Sequence, residues 1–368
     1  MTTPATTPYP LTQLYAYLTD GCNLACRHCW LAPRFDRHGQ HSTFLDPGLF
    51  AQAVEEALPL GLTGVKLTGG EPLMHPHLSE ILSIIRTHNL RLTVETNGML
   101  VTAELARQLV GFPDMFISVS IDGPDAKTHE AVRGVEGSYE NACQAVRYLV
   151  ETGIKPQIIC SLLPENAGKL NDMVGLAENL GAGSLKFNIV QPTARGETLH
   201  EQGQTLTLEE IIACGRYVDT ELSKQTRLAV FFDLPMAFRP LGRITSPGGC
   251  GRCGILSILG LLPDGAYALC GIGEHIPELV FGRIGKDPLA EVWQGNSQLN
   301  QLRGGLPDKL RGICGNCLMW GVCVGSCIAQ NYYRSHDLFA PYWFCDEAEK
   351  KGLFPASRMK EPHKPTKL

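Results

Sequence analysis

The residues that could do chemistry here are the cysteines. The chain has 368 residues and 14 cysteines. Cys22, Cys26 and Cys29 are spaced C-x3-C-x2-C, and eight more run from Cys250 to Cys345; only Cys143, Cys160 and Cys214 are scattered. Structural disulfides are rare in a reducing cytosol, so grouped cysteines there point to metal or redox chemistry. A structural zinc site wants four ligands, and no fourth ligand follows Cys29 at a zinc-like interval. A cubane iron–sulfur cluster on three thiolates keeps one iron open, as a cluster that binds a substrate or cofactor needs. In the later array, Cys250-x2-Cys253 precedes Cys270, then Cys314-x2-Cys317-x5-Cys323-x3-Cys327 and finally Cys345. Eight thiolates are the stoichiometry of two four-cysteine clusters. Two zinc ribbons are the alternative, although the C-x5-C and C-x3-C intervals are not ribbon-like. The scattered three read as inert packing thiols.

These residues need elements to hold them. Short apolar runs at 14–19, 64–67, 90–95, 115–121, 155–160 and 184–190 read as strands. Helix-period segments at 47–59, 77–88, 102–110, 137–152 and 168–180 lie between them. Such alternation implies right-handed βαβ units and a parallel sheet. Six units are fewer than the eight of a closed barrel, so the class is α/β with a partial, TIM-like (β/α)6 barrel over 14–200. A bridging segment at 201–242 carries a helix at 207–224 and a short run at 228–232. A small cysteine-rich domain fills 243–354, with too little periodicity for a core of its own, and metal is expected to hold it together. Residues 1–13 read as a flexible arm and 355–368 as a disordered tail.

The first triad stands just after the first strand, where barrel enzymes place their chemistry. With His28 as the ring in C-x3-C-x-aromatic-C, the chain resembles the radical S-adenosylmethionine (SAM) enzymes. The resemblance implies a [4Fe-4S] cluster on Cys22, Cys26 and Cys29 whose open iron is chelated by SAM. Reduction would then release a 5′-deoxyadenosyl radical that abstracts a substrate hydrogen. Gly69-Gly70-Glu71-Pro72 follows the second strand, as in that family, where it binds the SAM amino group. Asn97 and Ser120, at the ends of the third and fourth strands, resemble positions near ribose and methionine. Arg133 resembles a basic residue that holds the SAM carboxylate, and His28 and Trp30, which flank the last cysteine of the triad, are expected to contact the cofactor as well. The late cysteines resemble the SPASM extension, which carries two auxiliary [4Fe-4S] clusters, for three in all. By that resemblance Cys253, Cys270 and Cys327 hold the first auxiliary cluster, with Cys250 placed to be its fourth ligand. Cys314, Cys317, Cys323 and Cys345 hold the second.

SPASM enzymes mostly modify ribosomally made peptides, and the text around Trp30 resembles peptide maturases. The implied outcomes are crosslinking, epimerisation or backbone excision such as tyramine removal, as oxidoreductase or lyase. Alternatives are a modifier of a haem precursor or other small molecule, a sulfatase-maturase-like protein oxidase, and a non-enzymatic iron–sulfur electron carrier. Further candidate contacts, to SAM or substrate, are the polar residues of the segment Phe187 to Gly196, Asn188, Gln191 and Arg195 among them, and Asp233 and Tyr267. Expected partners are a precursor peptide, an external electron donor and a separately encoded leader-recognition protein, since few residues precede the first strand. With 37 acidic against 32 basic residues the net charge is −5, so a basic nucleic-acid footprint is excluded as a default. No apolar run approaches the roughly 18 residues of a membrane span; the longest covers 255–262. No secretory signal is visible, so a cytoplasmic location is expected.

Overall fold

A computed structural model describes residues 9–245 and 253–360. Its strands are β1 Gln13–Tyr17, β2 Gly21–Cys22, β3 Arg34–Phe35, β4 Gly64–Thr68, β5 Arg91–Thr96, β6 Phe116–Ser120, β7 Gln157–Leu162, β8 Ser184–Ile189, β9 Ala229–Phe232, β10 Ile258–Leu261, β11 Ala266–Ala268 and β12 Val280–Arg283. One ten-stranded sheet has the order β12-β11-β10-β1-β4-β5-β6-β7-β8-β9, and β2 pairs β3 separately. Every pair from β10 through β1 to β9 is parallel; β10–β11 and β11–β12 are antiparallel. All six strands expected from the sequence are present, and the helices between them follow.

The sheet has two unlike faces because its strands alternate with period two. Leu14, Val65, Leu67, Leu92, Val94, Val119, Ile158, Cys160, Leu185 and Phe187 are buried in the main core. The opposite positions are Tyr15, Lys66, Glu95, Ser120, Lys186 and Asn188, only partly buried and mostly polar. They make a hydrogen-bonding concave wall. Several of the helices start on side-chain caps. Asp46 caps Pro47–Ala57, Thr102 caps Ala103–Gln108, and Thr207 with Glu210 forms a capping box on Leu208–Tyr217.

Three features depart from the sequence reading. The run at 228–232 is the parallel strand β9 rather than part of a bridge outside the sheet. The longest apolar run contains β10, which lies parallel to β1, so the cysteine-rich region extends the barrel sheet. The ends are also less loose than their composition suggests. Leu11 is fully buried, Thr12 N–H bonds the Ser257 carbonyl, and Trp293 Nε1 donates to the Tyr9 carbonyl. At the other end, Leu318 N–H bonds the Arg358 carbonyl and Lys360 N–H bonds that of Asn316. Among the described residues no helix is long and apolar enough to cross a membrane.

Candidate functional site

The C-terminal ends of β1, β4, β5 and β6 converge on a cavity of about 530 Å³, counting its open mouth. Cys22, Cys26 and Cys29 line it together with Gly70, Glu71, Asn97, Ser120 and Arg133, all expected from the sequence. Thr68, Glu95, Thr96 and Arg195 line it as well. Cys22 and Cys26 are buried and Cys29 is partly exposed. Burial pushes both buried thiols up, and the Arg133 guanidinium opposes this at Cys26. Their thiolate forms therefore need further positive charge, which iron supplies. Backbone geometry already favours sulfur ligation: Leu24 N–H reaches Cys22 Sγ at 3.4 Å. Three thiols around one cavity fit an iron–sulfur cluster with an open site.

The turn at Gly69 and Gly70 is pressed against the β1 extension. Gly70 N–H bonds the Thr19 carbonyl and Glu71 N–H the Gly21 carbonyl, both at 2.9 Å. Glu71 is buried, which pushes its carboxyl up to about 7. Its Oε1 accepts from Thr96 Oγ1 at 2.7 Å and Leu73 N–H at 3.1 Å; its Oε2 accepts from Asn97 N–H at 2.8 Å. Glu71 thus ties the turn to the end of β5. Pro72 opens the short helix Pro72–Met74 that follows. Asn97 Nδ2 lies 2.7 Å from Asn23 Oδ1 and 3.7 Å from Cys22 Sγ. Arg195 fixes the cysteine loop from the β8 side, with Nη1 at 3.1 Å from the Cys26 carbonyl and Nη2 at 2.7 Å from that of Pro33.

Several expected residues lie elsewhere. His28 does not line the cavity. It is enclosed, with Nε2 3.9 Å from Asp122 Oδ2, and burial lowers its pKa to about 4, leaving a neutral ring. Trp30 packs on a small cluster with Tyr17 and Leu31. Gly69 and Pro72 shape the turn without lining the cavity. Tyr267, a candidate substrate contact, is sealed in the core. His75 is a buried turn residue whose Nε2 meets the Leu45 carbonyl at 2.7 Å. Asn23 is a site residue that sequence reasoning did not single out, being one polar residue among many; Thr96 and Asp122 carry the signal of a place at or just after a strand end, where the sequence reading favours Asn97 and Ser120 instead.

The later cysteines fall into two groups. Burial pushes the Cys327 thiol up, and Cys253 and Cys270 beside it push it further. Cys314, Cys317 and Cys323 act likewise on Cys345, and all four line one cavity of about 310 Å³ with Ile313, Trp320 and Phe354. Tyr342 N–H approaches Cys314 Sγ at 3.3 Å and Met319 N–H approaches Cys317 Sγ at 3.2 Å. Cys250 lies outside the described residues.

Residues 16–177 match the model of the radical SAM superfamily, and residues 250–318 match that of an iron-sulfur cluster-binding domain, SPASM. The chain is 28% identical to the AdoMet-dependent heme synthase of Nitratidesulfovibrio vulgaris, over 91% of this chain and 92% of that one. It is also 28% identical to the mycofactocin maturase MftC of Mycobacterium ulcerans, over 88% and 85%. Its fold matches Streptococcus suis SuiB bound to the precursor peptide SuiA with a TM-score of 0.70, at 16% identity, covering 92% of this chain and 76% of that one. That likeness speaks for the fold alone. With the triad, the GGEP turn and the two later cysteine groups in place, the chain belongs to the radical SAM enzymes of the SPASM subgroup, which use a SAM-binding [4Fe-4S] cluster and auxiliary iron–sulfur clusters.

Proposed function

We propose that this enzyme is a peptide maturase that abstracts hydrogen from a residue of a ribosomally made precursor. The observation that carries this reading is the polar concave wall. Glu95 and Ser120 line the triad cavity, and Lys66, Lys186 and Asn188 stand on the same face of the sheet. Lys66 Nζ pairs with Glu95 Oε1 at 2.6 Å, and Thr68 Oγ1 donates to Glu95 Oε2 at 3.3 Å. A wall of donors and acceptors suits the amides of an extended peptide, whereas a broad apolar macrocycle prefers apolar walls. A second reading, modification of a haem precursor, is favoured by the haem-synthase relatives.

In this reading Cys22, Cys26 and Cys29 hold the first cluster, and Gly69 to Pro72, Asn97, Ser120 and Arg133 surround SAM. Cys250, Cys253, Cys270 and Cys327 hold the first auxiliary cluster; Cys314, Cys317, Cys323 and Cys345 hold the second, making three in all. The partial barrel covers 14–200 and its sheet continues through β9 of the 201–242 segment, while the auxiliary domain at 243–354 adds β10 to β12 on the other side. When bound, the reduced cluster and SAM supply a hydrogen-abstracting 5′-deoxyadenosyl radical. The chain's own residues fix the geometry: Glu71 holds the SAM turn, Arg195 holds the cysteine loop, and the wall orients substrate. An external electron donor and a leader-recognition protein complete the system.

The test is anaerobic, reduced, reconstituted enzyme with SAM. A full-length precursor peptide encoded beside the gene should raise release of 5′-deoxyadenosine, and the peptide should change mass. A haem-precursor porphyrin converted in its place, with the peptide inert, refutes the peptide reading. Turnover with and without the separate recognition protein tests that partner. Cys26→Ala should abolish SAM cleavage in a folded protein; retained cleavage refutes the triad assignment.

A further inference from the structure

Asp122 follows β6 by two residues and is fully buried. It is held from three directions. Its Oδ1 accepts Ser161 N–H at 2.7 Å, its carbonyl accepts Asn166 Nδ2 at 2.8 Å, and its N–H donates to His129 Nδ1 at 3.1 Å. Its second oxygen, Oδ2, lies 2.6 Å from Arg133 Nε as an ion pair, although the two are out of hydrogen-bond alignment. Arg133 is itself buried, and its Nη1 lies 3.5 Å from Cys26 Sγ.

Arg133 ends the helix Ala126–Arg133, whose backbone grips the same cysteine from both sides. Ala25 N–H bonds the Arg133 carbonyl and Arg27 N–H bonds the Val132 carbonyl, each at 3.1 Å. Cys26 is thus bracketed by two backbone bonds, with a guanidinium laid against its sulfur. Carboxylate, guanidinium and thiol form one buried relay, fixed at its far end by β7 and the turn after it.

A cationic donor at a cluster sulfur favours the more negative, reduced state, because reduction adds charge beside it. The guanidinium is planar and carries donors in a fixed fork, so an oxygen against Nε sets where Nη1 points. We propose that Arg133 sets the reduction potential of the first cluster through Cys26, and that Asp122 is a positioning residue that aims it. The step concerned is one electron from an external low-potential donor taking [4Fe-4S]2+ to [4Fe-4S]+; the Cys26 sulfur stays bonded to iron and no proton moves. The proposal rests on the triad as the cluster ligands. It goes beyond a SAM-carboxylate role for Arg133, since it predicts an effect with no SAM present.

The test is a redox titration of the SAM-free holoenzyme followed by electron paramagnetic resonance. The first cluster's signal is identified by its loss in Cys26→Ala; if that variant keeps the signal, the triad reading itself fails. Arg133→Gln should lower the midpoint enough to cut the reduced-to-oxidised ratio at least tenfold at fixed potential, which for a one-electron couple is 59 mV. Arg133→Lys keeps the cation and should lie between Gln and the parent; it carries the test if the Gln variant does not retain iron. Asp122→Asn should lower the midpoint too, and the Asp122→Asn/Arg133→Gln double variant should fall little below Arg133→Gln alone. An unchanged SAM-free midpoint in Arg133→Gln, with only SAM affinity lost, overturns the proposal. A midpoint raised by Asp122→Asn shows an independent charge and overturns the positioning role.

Discussion

Gly70→Ala is the most demanding single-atom test of the SAM turn. A Cβ built on Gly70 would stand 1.7 Å from the Gly21 carbonyl oxygen and 2.5 Å from its carbon, where real Cβ atoms keep at least 3.0 Å. Both obstacles are backbone, so no side chain can rotate away. The turn and the β1 extension must separate by about 1.3 Å. That separation breaks the two 2.9 Å bonds, Gly70 N–H to the Thr19 carbonyl and Glu71 N–H to the Gly21 carbonyl. Overpacking strain of about 1–3 kcal/mol and two hydrogen bonds at about 1 kcal/mol each give a loss of about 3–5 kcal/mol. This is a large share of the roughly 5–15 kcal/mol that holds a typical protein folded. Gly21 precedes Cys22, so the displaced segment carries a proposed cluster ligand. The assay is anaerobic urea unfolding of the holoenzyme by circular dichroism, with iron content and SAM affinity measured in parallel. The midpoint should fall and SAM affinity should drop with it. Gly153→Ala is the control: Gly153 has a positive φ of 87° but nothing within 4 Å, so only backbone strain of roughly 1–2 kcal/mol applies. If the alanine at 70 costs no more than the alanine at 153 and leaves SAM affinity intact, the close-approach reasoning is wrong.

Three further outcomes follow from local geometry. Gly175→Ala, inside the helix Leu170–Asn179 with open space at its Cβ, should raise stability by about 0.5–1 kcal/mol, read as a higher urea midpoint. Asp125→Ala removes the N-cap of the helix that carries Arg133 and should cost about 1 kcal/mol at neutral pH. Lys169 and the Thr128 N–H hold the Asp125 carboxyl at about 2, below its usual value. This stabilisation is complete above the unfolded pKa of about 3.9 and is lost as pH falls through about 2, so parent and variant should converge in acid. Asp219→Ala strips the buried carboxylate whose Oδ1 lies 3.0 Å from Arg239 and 3.2 Å from Arg243, and should cost about 3–5 kcal/mol; a change under 1 kcal/mol in unfolding would contradict that pairing.

How far the sequence discloses this molecule depends on which force writes each element. Strands such as Gly64–Thr68 and Arg91–Thr96 were legible because one face must be apolar, which imposes alternation. The helix Ala126–Arg133 was not. Its buried side chains are Thr128, His129, Val132 and Arg133, so it has no apolar stripe; it is held by the Asp125 cap and by polar contacts no periodicity records. β10 was invisible for another reason. All four of its residues are buried, so it shows no alternation, and its partner β1 is distant in sequence. In the site, the cysteines were legible from their spacing, and Gly70, Glu71, Asn97, Ser120 and Arg133 from the resemblance to the radical SAM enzymes; Arg133 ends a helix and has no strand-end signal. Glu71 differs in how it acts, since three donors already engage its carboxylate. Trp30 was misplaced into the cavity because its proximity to Cys29 in sequence does not say which way the ring turns; the apolar Tyr17 and Leu31 claim it.

The shared sheet explains how a cysteine-rich region without a core of its own can hold thiols at set positions. β1 is hydrogen-bonded to β4 on one side and β10 on the other, and its extension delivers Cys22. From the same strand, Tyr15 has Cys253 and Cys270 among its titratable neighbours, and Tyr17 has Cys270. The approach is close enough that a Cβ at Gly271 would stand 2.3 Å from the Tyr17 ring, and one at Gly260 would stand 2.9 Å from the Cys270 Cα. Only glycine lets the Cys270 segment come this near. The first triad and the nearer auxiliary thiols are therefore two attachments to one strand, rather than sites on two bodies that must dock. Their separation is set by main-chain hydrogen bonds and tight packing. An electron passing between the clusters would cross a distance that the fold has made a property of β1.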